Sequence, residues 1–237
     1  MKLNFIQTDQ EGRANCSNCT LRNSALCANL AEQDLERIHQ SIDVYSLLPG
    51  SLLYRAGDLG DRLYTVRSGT LKLVQYLPDG TQRIVRLLGA TDVAGLEALL
   101  GKPYQHDAVV VHSTETCSLP VDMMQTLSQN NTALYQELLS RWQQSLKEAD
   151  AWLTEFSTGS ARQRIARLLL RLSQNKTNRE CTLFTREDMG AMLGITTETV
   201  SRNIAEFKRR SLLVETGSNH FMLDTDNLER VIEQASL

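Results

Sequence analysis

The stretch TREDMGAMLGITTETVSRNIAEFKRR, Thr185 to Arg210, decides how the chain reads. It has the pattern of two helices joined by a tight turn. Thr185 is placed to cap the first helix, with Glu187 and Asp188 in the opening turn where the helix dipole favours carboxylates. Gly194 stands where a left-handed residue ends that helix, and Thr196 is placed to cap the second. Val200, Ile204 and Phe207 recur at +4 and +3 and predict a core face, met by Met189 and Leu193. The opposite face carries Thr197, Glu198, Ser201, Arg202 and Ala205. Those groups have the chemistry of base reading. Arginine grips guanine O6 and N7, glutamate accepts from cytosine N4, and serine reaches a base or a phosphate. Lys208 and Arg209, followed by Arg210, come just after that face, where phosphate contact needs cations. A plain helical hairpin with a solvated polar face shares the spacing but has no use for the cations. The pattern predicts a first helix across the DNA backbone and a second in the major groove.

The rest of the chain fits such a reader at one end of a larger body. Its 237 residues suit two modest domains, each with its own core. A net charge of −3 excludes a generally sticky nucleic-acid binder, so the distribution of charge matters more. Residues 159–215 hold eleven Lys and Arg against six Asp and Glu, whereas residues 1–158 hold thirteen against eighteen. A basic, DNA-binding end on an acidic sensing body is the arrangement expected. No apolar run approaches ~18 residues and the N-terminus has no apolar signal core, which predicts a cytoplasmic protein without membrane contact. In that compartment five cysteines do not make a disulfide framework.

Working back from the reader, a basic amphipathic helix is expected over Ala161–Ser173, and Ser157-Thr158-Gly159-Ser160 reads as a hinge. Before it, one long helix should run from about Thr132 to about Thr158. Its Leu139, Trp142, Leu146, Ala149, Leu153 and Phe156 alternate +3 and +4, the seam of a two-helix coiled coil. Two-fold pairing through that seam places two recognition helices ~34 Å apart, one per successive major groove. Between Asp43 and Val121, short apolar runs are separated by Pro49-Gly50, Gly57-Asp58, Ser68-Gly69, Pro78-Asp79-Gly80 and Gly89-Ala90. This spacing predicts an antiparallel β-roll, with a hairpin at Pro78-Asp79-Gly80-Thr81. Past the reader, Leu212–Glu215 and His220–Leu223 fit a β-wing and Asn227–Ala235 a final helix. The fold class expected is α+β, in four segments. Residues 1–30 form a cysteine-rich segment, 31–130 the roll, 131–158 the dimerisation helix and 159–237 a winged helix-turn-helix domain.

The N-terminal segment reads CSNCTLRNSALC, with Cys16 and Cys19 on one tight Cys-x2-Cys loop and Cys27 beyond. Iron–sulfur and zinc sites both use that loop, and a dithiol switch is a third reading. A redox enzyme built on such a pair places it at a helix start beside a βαβ unit, and no such unit is found here. The chain therefore reads as a binding protein and not an enzyme.

This order of parts resembles the CRP/FNR family of bacterial transcription regulators. The resemblance rests on Gly57-Asp58, Arg67-Ser68-Gly69 and LGITTETVSR from Leu193 to Arg202, and it covers nearly the whole chain. Cys16, Cys19 and Cys27, together with Cys117 in ETCSLP, are similar to the FNR branch, whose members hold an oxygen-labile 4Fe-4S cluster and bind DNA as homodimers when it is intact. The seven residues between Cys19 and Cys27 exceed the usual gap of that branch, and a bulged loop accommodates them. Cys181 has no part in the set. The resemblance further implies that Glu198, Ser201 and Arg202 read an inverted repeat of TTGAT-like half-sites. Thr197 replaces the residues usual there. A contact with RNA polymerase is implied through roll surfaces such as Asp79-Gly80-Thr81. The cyclic-nucleotide branch carries Gly-Glu and then Arg-Ser in its phosphate site. Here Gly95 is followed by Leu96, and His106-Asp107 takes the place of Arg-Ser, so no cyclic nucleotide is expected. Haem needs an axial ligand, and none of His39, His106, His112 and His220 is distinguished as one. FNR-like seams often contain an acidic residue; here Ala149 lies between Glu148 and Asp150, which predicts a dimer that partly persists after cluster loss.

Overall fold

A computed structural model of the chain describes residues 6–7, 19, 21, 26, 28, 30–39, 41–173, 179–217 and 219–233. They gather into two compact units, Met1–Gln75 with Val85–Glu148, and Tyr76–Ile84 with Ala149–Leu237. Among the described residues no helix is long and apolar enough to cross a membrane.

The larger sheet is antiparallel and takes in β1 (Ile6–Gln7), β2 (Asp43–Leu47), β3 (Leu52–Tyr54), β4 (Arg62–Tyr76), β5 (Gln82–Leu88), β6 (Val93–Ala94) and β7 (Asp107–Pro120). Its order is β1-β2-β7-β4-β5, with β3 added on β7 and β6 on β4. The expected hairpin joins β4 to β5. There the Leu77 amide donates to the Thr81 carbonyl at 2.9 Å, and the Asp79 carboxylate accepts from the Thr81 amide at 2.9 Å. Gly80 supplies the positive φ of 81° that the turn requires.

Ser68-Gly69, expected as a corner, is instead a bulge inside the continuous β4. Register with β7 slips at this point, Gly69 has φ 85°, and a Cβ there would run into the Ser113 carbonyl and Thr114. The runs HDAVVVHS and CSLPV likewise form one strand, β7, paired on one side with β2 and on the other with β4. At Pro120 it passes directly into α2 (Val121–Asn130), a helix the sequence reading did not anticipate.

The core of this unit is one packed cluster. Leu63, Val66, Leu71, Ala108, Val110 and Leu119 come from the sheet, and Leu35 and Ile38 from α1 (Glu32–His39). Leu26 and Leu30 close it from the N-terminal side, and Leu134 and Leu138 reach it from the first turns of α3 (Thr132–Phe156). Arg141 of α3 donates to the Thr91 carbonyl at 2.9 Å and pairs with Glu137 at 2.6 Å, which holds this part of the helix to the roll.

The second unit contains the end of α3, α4 (Ala161–Ser173), α5 (Arg186–Leu193), α6 (Thr197–Arg209) and α7 (Thr225–Glu233). A small sheet orders β8 (Glu180–Thr182), β10 (His220–Leu223) and β9 (Leu213–Gly217) as β8-β10-β9. The wing expected from sequence is thus present, with β8 as an unforeseen third strand. The segment expected as a hinge is stapled. Ser160 and Gln163 form a reciprocal capping box at the start of α4, and Arg167 donates to the carbonyls of Glu155 and Thr158. Arg171 adds an ion pair to Glu155 at 3.2 Å.

Candidate nucleic-acid interface and thiol site

The reading helix is held by short-range chemistry at both of its neighbours. The Thr185 hydroxyl accepts from the Asp188 amide at 3.0 Å and starts α5. Gly194, at φ 63°, ends it, and its amide returns to the Gly190 carbonyl. Gly190 has a separate role: a Cβ there would lie 2.7 Å from the Ile195 carbonyl oxygen, so only glycine lets the turn fold this tightly on its helix. Arg164 closes the end of α5 by donating to the Leu193 carbonyl at 2.7 Å. The Thr196 hydroxyl accepts from the Thr199 amide at 3.2 Å and starts α6.

α6 then divides cleanly. Val200, Ile204 and Phe207 are buried with Met189, Leu193, Ile165 and Leu168. Thr197, Glu198, Ser201, Arg202, Ala205, Lys208 and Arg209 are exposed, the face that the sequence pattern selects. The Glu198 carboxyl is held below its usual range by its own backbone amide and then by the Thr196 side chain, so it is an acceptor at neutral pH. Arg202 and Arg209 carry no ion pair among the described residues and are free to meet an anion. Lys208 is exposed and engaged within its own unit. It pairs with Glu215 of β9 at 2.9 Å and lies 4.6 Å from the centre of the Phe221 ring, which ties the reading helix to the wing.

On the long helix, Leu139, Trp142, Leu146 and Leu153 are exposed as one stripe and Ala149 is half-buried. Phe156 leaves the stripe. It is 1% exposed and meets Trp152 edge-on within the second unit. Tyr135, which the sequence reading passed over, is exposed one turn before Leu139 and extends the stripe instead.

Of the cysteines, Cys19 and Cys117 are half-buried and Cys181 is fully buried. Cys16 and Cys27 lie outside the described residues. Cys117 sits on the central strand β7, across from Val44 of β2 and Thr65 of β4. It packs on the same cluster that holds Leu26, the residue before Cys27. Cys19 and Cys117 both belong to the unit of the roll, and thiolates are the donors that soft metals and iron–sulfur clusters take. Cys181 belongs to the other unit, where its strand faces Phe221. Among the described residues no three metal-ligating side chains converge.

Two buried aromatic rings, Tyr54 and Tyr104, join the aliphatic core of the roll. Tyr54 stacks on Tyr104 with centroids 3.9 Å apart and on Tyr64 at 5.8 Å, and the Tyr104 hydroxyl donates to the Arg62 carbonyl at 2.7 Å. Tyr104 also occupies the space beside Gly95. Burial lowers the His106 pKa against the opposing effect of Glu97, and the Asp107 carboxylate is taken up by the Ala56 amide at 2.8 Å.

The comparisons agree with this architecture. Residues 45–131 match the model of the cyclic nucleotide-binding domain, and residues 163–231 match the Crp-like helix-turn-helix domain. The fumarate and nitrate reduction regulatory protein of Vibrio cholerae is 27% identical over 209 residues, 85% of this chain and 84% of that protein. The transcriptional activator protein anr of Pseudomonas aeruginosa is 25% identical, over 91% of each chain. The solved structure of FixK2 from Bradyrhizobium japonicum superposes with a TM-score of 0.74 at 21% identity, covering 82% of this chain and 99% of that one. These relatives are regulators and not enzymes. With a cyclic-nucleotide-type roll, a long helix and a Crp-like reader in that order, the chain belongs to the CRP/FNR family of transcription regulators.

Proposed function

We propose that this regulator binds, as a homodimer, an inverted repeat of TTGAT-like half-sites under the control of a 4Fe-4S cluster on Cys16, Cys19, Cys27 and Cys117. The observation that carries the DNA part is the exposed face of α6: Glu198, Ser201 and Arg202 stand on it together, opposite a fully buried apolar face. Arg202 is the guanine donor, Glu198 the cytosine acceptor and Thr197 a methyl contact for thymine. Arg209 is the phosphate contact, and Lys208 acts through its hold on Glu215 and the wing. Dimerisation uses Leu139, Trp142, Leu146, Ala149 and Leu153. The hairpin tip at Asp79-Gly80-Thr81 is the surface offered to RNA polymerase.

When bound, the cluster supplies an oxidisable centre that couples oxygen or another oxidant to DNA affinity. The curated relatives, an anaerobic regulatory protein and a fumarate and nitrate reduction regulatory protein among them, support that reading, as does the half-buried Cys117 on the roll's central strand. The roll is not a cyclic-nucleotide receptor. Tyr54 and Tyr104 stack on each other in its core, and His106 and Asp107 offer a phosphodiester no guanidinium.

Anaerobic purification followed by titration of a labelled TTGAT inverted repeat is the test. The expected protein is brown, binds the repeat and loses both properties in air. Cys117→Ser should be colourless and Cys181→Ser should stay brown. A colourless wild type with one zinc per chain and air-stable DNA binding overturns the cluster reading.

A further inference from the structure

Beside Cys117 the sheet holds a hydroxyl with nothing to bond. Thr65 of β4 lies directly across from Cys117, so the two side chains share one face of the sheet. On its other side Thr65 faces Val93 of β6, which has no polar side-chain atom. Thr65 is 4% exposed, and its Oγ1 has no hydrogen-bond partner. A buried hydroxyl without a partner destabilises a fold, and valine fills the same volume without that penalty. Strand packing alone therefore does not account for threonine here. The residue paired with it across the strand, Cys117, offers a sulfur. A neutral thiol is a weak acceptor, whereas metal-bound sulfur carries negative charge and accepts strongly.

We propose that Thr65 is a positioning residue of the thiol site, whose hydroxyl donates to the sulfur charge gathered at Cys117 once the site is loaded. The inference rests on the reading of Cys117 as a cluster ligand. Hydrogen bonds to cluster sulfurs favour the more negative, reduced state and so raise the reduction potential. Thr65 thereby makes the cluster harder to oxidise and slows its loss in air. The same strand provides a control. Thr116, next to Cys117, is 0% exposed and its Oγ1 is equally unpartnered, but it pairs with Tyr45 and Val66 on the opposite face.

Wild type, Thr65→Val, Thr65→Ser and Thr116→Val are reconstituted anaerobically and compared for iron content, visible absorption, midpoint potential and bleaching in air. All four should load equally. Thr65→Val should bleach about threefold to tenfold faster and have a lower midpoint potential. Thr65→Ser, which keeps the hydroxyl, and Thr116→Val should both match wild type. Iron-free Thr65→Val should melt no lower than iron-free wild type, which separates a role at the site from a role in folding. A coloured wild type with Thr65→Val bleaching at the same rate overturns this proposal alone, as does equal acceleration by Thr116→Val. A wild type that takes up no cluster overturns the ligand reading and the proposal with it.

Discussion

Leu146→Ala is the sharpest probe of the dimer seam. Leu146 lies mid-stripe on α3 with 62% of its surface exposed, between Trp142 and Ala149. Full burial of a leucine contributes ~1.5–3 kcal/mol, so burying the exposed fraction is worth ~1–2 kcal/mol per chain. Two-fold pairing brings in both copies, and alanine retains the Cβ, which leaves a loss of ~2–3 kcal/mol per dimer. The dimer dissociation constant should therefore rise ~30- to 150-fold. Leucine and alanine are both strong helix formers, so the helix itself is not weakened. Sedimentation velocity from nanomolar to micromolar concentration measures the shift. Leu59→Ala, on a roll loop with 83% exposure, serves as the comparison and should not move it. A change below threefold for Leu146→Ala, or an equal change for Leu59→Ala, refutes a seam through this stripe.

Other outcomes follow from the same geometry. Arg202→Ala should cost about 1–3 kcal/mol on the cognate repeat and relax discrimination at the guanine; an equal loss on every sequence marks Arg202 as a phosphate contact. Air-exposed wild type should remain partly dimeric at micromolar concentration, whereas Ala149→Asp, which places two carboxylates in the seam, should be monomeric. A wholly monomeric wild type contradicts the role given to Ala149. Substituting Thr81, whose amide is held by the Asp79 carboxylate, should lower transcription and leave DNA affinity unchanged; loss of both removes the hairpin tip as a polymerase contact.

The parts of the fold that were legible in sequence are those set by neighbours within a turn or two. The caps Thr185 and Thr196, the stop at Gly194 and the buried triad of α6 each follow from rules spanning four residues, and the reading face follows from them. What was not legible depends on partners far along the chain. Gly69 carries the positive φ of a turn glycine, and only Ser113 and Thr114 across the sheet make its place a bulge. β8 is three residues long and becomes a strand through Phe221, forty positions away. Phe156 continues the heptad spacing faithfully. Spacing does not reveal that Trp152 and the second unit's core take up its ring. Lys208 shows its charge in sequence, but not Glu215 or Phe221, which occupy it.

Cys181 deserves a use beyond its exclusion from the thiol site. Its side chain is 0% exposed within the small sheet of the reading unit. Alkylating reagents reach such a sulfur only when its surroundings open, so the rate of modification follows the open fraction of that unit alone. Pulsed labelling of Cys181, read by mass spectrometry apart from the four N-terminal-side and roll thiols, is therefore a clock for local unfolding. A DNA duplex that binds only the closed form slows the clock by the factor 1 + [L]/Kd. The one cysteine without a regulatory assignment can thus report, without any added probe, how tightly its own unit is held by the DNA it reads.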